Sequence, residues 1–564
     1  MDNKRLALAF ALTIAIFLGW GYLSQEMGWV AKAPPAGDAP GPTAGKSPAE
    51  GPPPDPGQGA APSSVRAEPA VKPGIEEEGR FIRVQTPLYK AVFHSGGGVL
   101  RSFSLMRYRT SIAADSPLVD LVNEQAAGQA PLGLILDGLS TWSGPKWSFE
   151  GGDLLLGETD EGILRFHAEV DGIDIIRELT FSGKSYAIGE RLFLSSVRQR
   201  AVNVAFTFGA AALDTDRKTS IFSTLRYAVM GGQAPEPEES QYNPTRVAWF
   251  ENGKFDEETS AADLAKGVLI QSNVSWMGVM NNYFMGAVSM DGAAAGAKGR
   301  MLGGVYHVLV GRTGVELAPD VRTELNSVYF IGPKETGQLQ NTPNNLSSAL
   351  DYGFFSVIAR PLVQLLGFFY GFTSNYGLAI ILLTIVIKAL FWPLSQKSYR
   401  SMNKLKQLQP MMTKIREKHK DDKEAMNREV MQLYKTYKVN PAGGCLPIVV
   451  QIPVFFGLYQ GLLNAIELRH APFIATLPFT DLPWLADLAS ADPYLITPLV
   501  MGASMFLQQK MTPASGDPTQ ARIMMLMPLI FTVLFLSFPS GLVVYWLVNN
   551  LISIAQQWWQ LRRA

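Results

Sequence analysis

Residues 375–394 read NYGLAIILLTIVIKALFWPL, and this stretch decides the fold of the chain. At about 1.5 Å per residue a helix of this length crosses a hydrocarbon core of about 30 Å. Lys388 is its only charged residue. An ionisable group inside a span costs at least about 2.5 kcal/mol at mid-depth, so it usually faces protein or water. The alternative is that the long lysine stem snorkels toward the nearer membrane surface. The span alone leaves both interpretations open.

A basic segment, residues 395–440, follows this span. It contains 12 Lys or Arg and 5 Asp or Glu. Met and Leu recur between the charges at helical spacing, which predicts two amphipathic helices joined near Asp421 and Asp422. By the positive-inside rule this helical hairpin is cytoplasmic. Membrane topology and contact with anionic lipids explain the charge, so direct nucleic-acid readout is not predicted.

Residues 441–564 contain four more apolar runs with short loops between them. The first, NPAGGCLPIVVQIPVFFGLYQGLL, carries Pro447 and Pro453, with Gln451 as a polar group between the two prolines. Each proline removes a backbone donor and disturbs the preceding turn. The later runs are YLITPLVMGASMFLQQK, RIMMLMPLIFTVLFLSF and GLVVYWLVNNLISIAQQWW. They predict transmembrane helices three to six.

The N-terminal 79 residues divide into an anchor and a linker. Residues 1–30 join the basic start MDNKR to the apolar run LALAFALTIAIFLGWGYL, which predicts a retained transmembrane anchor, with a cleaved signal peptide as the alternative. Residues 31–79 are rich in Pro, Gly and Ala and predict an extended linker. With the anchor, the chain is predicted to have six spans and cytoplasmic N- and C-termini.

Residues 80–340 have a different texture, with short β-type runs such as FIRVQT, ILRFHAEV and IDIIRELTF between turn residues. This alternation predicts a large antiparallel β-sandwich domain. Its HSGGGVLRSFSL stretch resembles the opening of galactose-mutarotase-type sandwiches, which admits a sugar-active enzyme. His94, His167 and His307 are isolated from one another, and such histidines are more often structural.

Residues 346–372 are apolar on nearly all sides but include Asp351, Arg360 and Pro361. They predict an interfacial amphipathic helix on the outer membrane surface, and a further span is the alternative. The single cysteine, Cys445, excludes an intramolecular disulfide and a cysteine-cluster metal site. Because the sequence also has no GxxxxGK[ST] motif, no cofactor or nucleotide is predicted.

Three of these stretches resemble the YidC/Oxa/Alb family of membrane protein insertases: TIVIKALFWPL, VNPAGGCLPIVVQIPVFFGLY and MPLIFTVLFLSFPSGLVVYWLVNNL. The resemblance covers residues 350–560, and the anchor, linker and β domain are similar to the Gram-negative form. It implies a bacterial inner-membrane insertase and chaperone, not an enzyme, with a large periplasmic domain. It also implies a five-helix bundle around a hydrated groove that opens to the cytoplasm and to lipid.

The resemblance assigns residues to two sites. It implies that Lys388 supplies the single positive charge of the groove, where many bacterial members have arginine, so the charge is kept but the planar guanidinium fork is lost. The remaining expected groove residues are Thr384, Trp546, Tyr545 and Gln451. The cytoplasmic hairpin is expected to receive substrate, through Lys404, Lys406, Lys414 and Arg416.

The implied partners are nascent membrane proteins, the Sec translocon and anionic lipids. The chain stops at Ala564, soon after its last span, which argues against ribosome docking through a long basic tail. Two other classes stay open at this point. A transporter needs a polar pathway to both faces, usually with paired charges or internal repeats. A membrane-tethered carbohydrate enzyme would depend on residues 80–340, whereas an insertase should largely survive their deletion.

Overall fold

A computed structural model describes most of the chain after the predicted linker. The described residues are 79–213, 243–271, 273–294, 296–419, 422–437, 439, 446–511 and 518–562. The predicted anchor, residues 1–30, and all but the last residue of the predicted linker lie outside this part of the chain, and so does Cys445. Both predictions therefore stay predictions.

The predicted β domain is confirmed, because the structure describes twenty strands between Phe81 and Pro333. The strands are β1 (Phe81–Gln85), β2 (Tyr89–His94), β3 (Val99–Arg109), β4 (Leu118–Asp120), β5 (Leu134–Leu136), β6 (Leu139–Ser140), β7 (Ser148–Glu150), β8 (Leu154–Leu155), β9 (Glu161–Val170), β10 (Ile173–Ser182), β11 (Ala187–Ser196), β12 (Arg200–Ala211), β13 (Arg246–Glu251), β14 (Lys254–Glu258), β15 (Val268–Ile270), β16 (Val274–Met280), β17 (Phe284–Ala294), β18 (Gly296–Leu302), β19 (Val305–Leu317) and β20 (Thr323–Pro333).

These strands form three sheets. Their orders are β4-β3-β2-β1-β8, β14-β13-β16-β17-β20-β11-β10-β9-β7 and β15-β18-β19-β12-β5-β6. The β1–β8 pair is parallel, and the other strand pairs are antiparallel. Strands β16 and β17 of the nine-stranded sheet contact β12 and β19 of the six-stranded sheet. The two larger sheets therefore pack face to face as a sandwich.

Strand β9 shows why the sequence folds this way. Leu164, Phe166 and Ala168 are buried, while the intervening Arg165 and His167 are exposed. This two-residue period places one apolar face on the core and one polar face toward solvent. Register is strongly specified in such a strand, since a slip of one residue would turn every apolar side chain outward.

The glycine turn within HSGGGVLRSFSL is held by a buried ion pair. Gly97 (φ +90°) and Gly98 (φ +61°) occupy the left-handed region that L side chains rarely adopt, directly before β3. The Arg177 guanidinium donates to the Gly97 and Leu132 carbonyl oxygens, both at 2.8 Å. It also pairs with Glu190 at 2.6 Å, and both side chains are 0% exposed. This pair ties the turn to strands β10 and β11.

Ten α-helices are described. They are α1 (Glu124–Ala127), α2 (Ala261–Lys266), α3 (Thr336–Gln340), α4 (Ser356–Thr373), α5 (Tyr376–Lys418), α6 (Lys423–Thr436), α7 (Leu446–Asn464), α8 (Ile496–Met511), α9 (Pro518–Phe535) and α10 (Ser540–Leu561). The first three belong to the β domain, and the others form the helical part. There, α4 packs on α5 and α7, α10 packs on α5 and α8, and α8 packs on α9.

The sequence divides this region into a span that ends at residue 394 and a hairpin that begins at residue 395. The structure instead has one helix, α5, across that boundary. Its Asn375 side chain caps the N-terminus by accepting from the Leu378 N–H at 3.0 Å, and the helix then continues without a break to Lys418. Pro393 and Pro410 lie inside it. Each proline removes one backbone hydrogen bond, but the Lys, Leu, Gln and Met residues that follow favour helix. The first arm of the hairpin is thus a direct extension of the predicted span.

The membrane-spanning count is not confirmed. Among the described residues, Gly353–Thr373 and Tyr376–Lys418 are long and apolar enough to cross a membrane, and Met524–Phe535 is a shorter apolar helix. The predicted interfacial segment begins with two 3-10 turns, Leu346–Ala349 and Gly353–Phe355, and continues as α4. Six spans, and the position of α4 along the membrane surface, stay predictions.

The β domain and the helical part meet at the end of α7. There Ile466, in the 3-10 turn Ile466–Leu468, is buried in the β-domain core. The Arg469 guanidinium donates to the Arg109 carbonyl oxygen at 2.8 Å and lies 5.4 Å from the Phe284 ring centroid. The loop after α7 therefore fastens the bundle to the β domain.

Candidate functional site

Lys388 lies on α5 inside the helix bundle and is only 7% exposed. Its Nζ donates to Ser553 Oγ on α10 at 2.7 Å. The Ser553 hydroxyl in turn donates to the Asn549 carbonyl oxygen at 2.7 Å. A snorkelling lysine would direct its ammonium group toward the helix end. Here the ammonium group instead joins two helices, so the structure favours the interpretation in which Lys388 faces protein.

Other buried polar side chains lie on α5, α8 and α10. We call the following set the polar cluster: Lys388, Ser395 and Ser398 on α5, Ser504 on α8, and Asn550, Ser553, Gln556, Gln557 and Gln560 on α10. Asn550 Nδ2 donates to Ser504 Oγ at 3.3 Å, which links α10 to α8. Steps of three or four residues place much of the α10 set along one helical face. The cluster therefore forms a polar stripe from the level of Lys388 toward the end of α10.

Several buried atoms near this stripe have no protein partner. They are Gln556 Nε2, Gln557 Oε1, Gln560 Nε2 and the indole Nε1 of Trp546, none of which has a hydrogen-bond partner among the described residues. Leaving one such group unsatisfied costs about 1–3 kcal/mol. Water is the partner that buried polar groups of this kind usually find. The polar cluster is thus chemically suited to a hydrated interior.

Thr384 lies one helical turn before Lys388 and is buried. Its hydroxyl donates to the Ile380 carbonyl oxygen at 2.7 Å. This is the common backbone-bonded state of a helical threonine. The hydroxyl proton is therefore occupied, while the oxygen can still accept a hydrogen bond.

Trp546 and Tyr545 are neighbours on α10 with different surroundings. The Trp546 ring lies 4.8 Å from Phe455 on α7, and 6.2 Å and 5.4 Å from Phe531 and Phe535 on α9. Tyr545 is buried in the core of the bundle. Successive helical residues point about 100° apart, which separates these two positions. Trp546 therefore joins α7 and α9 through aromatic contacts, which we call the aromatic seam.

The remaining predicted residues lie apart from this centre. Gln451 is half-buried on α7. On the extension of α5, Lys404, Lys406 and Lys414 are exposed and Arg416 is half-buried. The structure therefore places Lys388 in the polar cluster, with Thr384 one helical turn away on α5, and leaves Lys404, Lys406 and Lys414 on the surface.

The hairpin itself is closed by charged contacts. Glu429 on α6 lies 3.1 Å from Lys418 Nζ and 2.5 Å from His419 Nε2. Hydrogen bonds from Lys418 and His419 hold the pKa of Glu429 below its ordinary value. Asp422 caps α6 by accepting from the backbone N–H groups of Glu424 and Ala425. These contacts fold α6 back along the end of α5.

Sequence reasoning missed Ser553 and the three glutamines. Their signal was present in NNLISIAQQWWQ, where polar residues recur at three- and four-residue steps in an otherwise apolar helix. The polar cluster combines one cation with neutral hydrogen-bonding groups. It suits attraction and passage of polar or anionic chain.

The comparisons with known proteins agree with this picture. Residues 368–564 match the family model described as 60Kd inner membrane protein, and residues 81–365 match the YidC periplasmic domain. The membrane protein insertase YidC of Nitratidesulfovibrio vulgaris strain DP4 is 53% identical over 572 residues, covering 100% of each chain. These descriptions support an inner-membrane protein with a periplasmic domain, and the cytoplasmic position of both termini stays a prediction.

Two solved structures are also similar. An active YidC insertase crystal structure covers 87% of this chain and 94% of its own, at 16% identity and a TM-score of 0.35. A galactose mutarotase-like protein from Lactobacillus casei covers 45% and 100%, at 7% identity and a TM-score of 0.29. TM-scores this low carry no argument about the chain. The full-length sequence identity and the two matching family models do, and they show that this chain belongs to the YidC family of membrane protein insertases.

Proposed function

We propose that this chain inserts newly made proteins into the bacterial inner membrane through a hydrated groove that opens to the cytoplasm. The observation that carries the proposal is the polar cluster, in which Lys388 is bonded to Ser553 beside buried glutamine atoms without protein partners. Polar groups in a helix bundle are expensive unless they are satisfied by protein or water. A groove that carries polar chain across part of the membrane explains this arrangement.

The costly step of insertion is moving the polar tail of a substrate through hydrocarbon. A hydrated groove shortens the dry path that the tail must cross. Lys388 can exchange its Ser553 partner for a carboxylate of an acidic tail, because both are hydrogen-bond acceptors. The contact is transient, since the tail continues outward once it has passed the charge.

The apolar part of the substrate is proposed to follow α7 and α9, the helices joined by the aromatic seam. Both helices present exposed apolar side chains, including Val450, Ile452, Met525, Leu526 and Leu529. A substrate helix that slides along them can partition sideways into lipid, and this partitioning drives insertion. For acidic tails the membrane potential adds about 2.3 kcal/mol per charge per 100 mV.

The cytoplasmic hairpin is proposed to receive substrate before it reaches the groove. Its exposed cations, Lys404, Lys406 and Lys414, suit anionic lipid headgroups and acidic segments. Because α5 is continuous, these cations lie on the same helix as Lys388. The net positive charge of the hairpin also supports cytoplasmic N- and C-termini. The Sec translocon is included as a partner because the family resemblance implies it.

Hydration of the groove can be tested by thiol labelling in a Cys445→Ser background. Single cysteines are placed at Ser553 and Gln557, with Leu551 on the same helix as the control, since Leu551 is exposed on the bundle surface. A membrane-impermeant maleimide added from the cytoplasmic side should label the first two positions and leave Leu551 unlabelled. Equal protection of all three positions would contradict a hydrated groove.

Function is tested separately in vesicles that contain the purified chain. A single-span protein with an acidic N-terminal tail should become protected from external protease on insertion, and protein-free vesicles should not protect it. If both vesicle types protect the substrate equally, the proposed activity is wrong.

A further inference from the structure

The six-stranded sheet of the β domain carries a cleft on the face that points away from the sandwich core. Arg300 of β18 is paired in register with His307 of β19, and Lys298 with Leu309. On the other side of β19, Thr207 of β12 is paired with Leu309. Residues two apart in a strand share a face, so these side chains form two adjacent rows across three strands.

The rows are closed on one side by Trp142, Gln129 and Ile135. Trp142 is largely buried and packs so closely on Gly133 that a Cβ added there would lie 2.5 Å from its ring. The cleft is partly open to solvent.

The ionisable side chains among the described residues that line the cleft are all basic. Three basic side chains and no acidic ones are found among the described residues that line the cleft. Burial and the neighbouring Arg300 lower the pKa of His307 to about 4, so its imidazole is neutral at pH 7. Its Nε2 is buried and has no hydrogen-bond partner in the described part of the chain. The lining therefore offers cationic groups beside neutral hydrogen-bonding groups.

We propose that this cleft binds an acidic sugar, meaning a small hydroxylated ring that bears one carboxylate or phosphate. The anionic group would lie against Lys298 and Arg300, because ammonium and guanidinium groups form charge-assisted hydrogen bonds to oxyanions. The ring hydroxyls would bond to His307, Thr207 and Gln129. The aromatic surface of Trp142 would pack against the apolar C–H face of the ring.

The role proposed for this cleft is ligand binding. The described residues that line the cleft include no carboxylate. The ligand would thus be recognised by the β domain and released unchanged.

The test uses the full chain in detergent and isothermal titration with glucuronate and glucose 6-phosphate. Glucose and inorganic phosphate serve as half-ligands, because each lacks one part of the proposed recognition. We expect one acidic sugar per chain, bound at least tenfold more tightly than either half-ligand. Arg300→Gln should weaken binding at least tenfold. Lys254→Gln removes a lysine whose side chain is 81% exposed on β14, outside this sheet, and should change nothing.

A second pair of variants separates recognition from folding. His307→Gln keeps a neutral hydrogen-bonding side chain and should retain most of the affinity, whereas His307→Leu should lose it. Both should keep the thermal unfolding midpoint of the wild type at pH 7. The proposal is overturned if neither acidic sugar binds at millimolar concentration. It is also overturned if phosphate alone binds equally well, or if Lys254→Gln weakens binding as much as Arg300→Gln.

Discussion

Replacing Lys388 by alanine should slow the insertion of a protein with an acidic tail far more than that of a protein with an uncharged tail. In the structure the Lys388 ammonium group is 7% exposed and lies 2.7 Å from Ser553 Oγ. A carboxylate brought to about 4 Å from this charge would gain roughly 1 kcal/mol in water and roughly 4 kcal/mol at an effective dielectric constant of 20. Since 1.4 kcal/mol is a factor of ten, the acidic substrate should lose at least about fivefold in rate.

The assay is protease protection in vesicles under a fixed membrane potential. Two single-span substrates are compared, which differ only in Asp and Glu versus Asn and Gln in the N-terminal tail. Lys388→Arg should insert both substrates at near the wild-type rate, because it keeps the charge. Ser553→Ala removes one hydrogen bond but keeps the charge, so it should have a smaller effect on the acidic substrate than Lys388→Ala.

The comparison between the two substrates shows whether Lys388 attracts acidic tails or only stabilises the helix bundle. If Lys388→Ala slows both substrates equally, the lysine contributes to the bundle structure and not to the attraction of acidic tails. If it slows neither, the electrostatic step is wrong, and groove hydration together with helix partitioning must suffice.

Three further predictions concern the β domain and its junction with the bundle. Arg177→Ala should destabilise the β domain by about 3–5 kcal/mol, because it leaves the fully buried Glu190 charge without its partner. Chemical denaturation followed by circular dichroism measures the free energy of unfolding, and a loss under 1 kcal/mol would contradict the prediction. Arg469→Gln should loosen the junction by removing the guanidinium from the Phe284 ring, so proteolysis between the two parts should become faster while the β domain keeps its own unfolding midpoint. The pKa of His307 is about 4 in the folded chain and about 6.5 when unfolded, so the unfolded chain binds more protons between these values. Stability should therefore fall by up to about 3 kcal/mol as the pH drops from 6.5 to 4, and His307→Gln should lack this part of the pH dependence.

Much of the fold is predictable because it is recorded locally along the chain. The two-residue apolar period of strand β9 predicts a half-buried strand, and the glycines before β3 predict a turn that only a left-handed backbone makes. The boundary after Leu394 was harder to place. The change from apolar to basic residues separates the span from the hairpin there, but the helix continues through Pro393, because one lost hydrogen bond is outweighed by helix-favouring residues on both sides.

Only part of the candidate site can be predicted from the sequence. Lys388 is conspicuous as the one charge in its span, and the resemblance assigns it a role. Its partner Ser553 is an ordinary serine in an apolar helix, and no local pattern connects the two. The glutamines of α10 show a helical period, but the period cannot tell whether their face points to lipid or into the bundle.

The sequence by itself therefore determined which segments can span a membrane, which segments alternate as strands, and which loop carries the positive charge. These properties depend on neighbouring residues and on transfer free energies that are summed along the chain. Tertiary structure decided the contacts between distant residues. Lys388 meets Ser553 across 165 positions, and Arg469 meets Arg109 across 360. The basic cleft likewise needs three strands in register. Such contacts depend on how the surfaces of helices and sheets pack against one another. That packing cannot be read from residues that are neighbours along the chain.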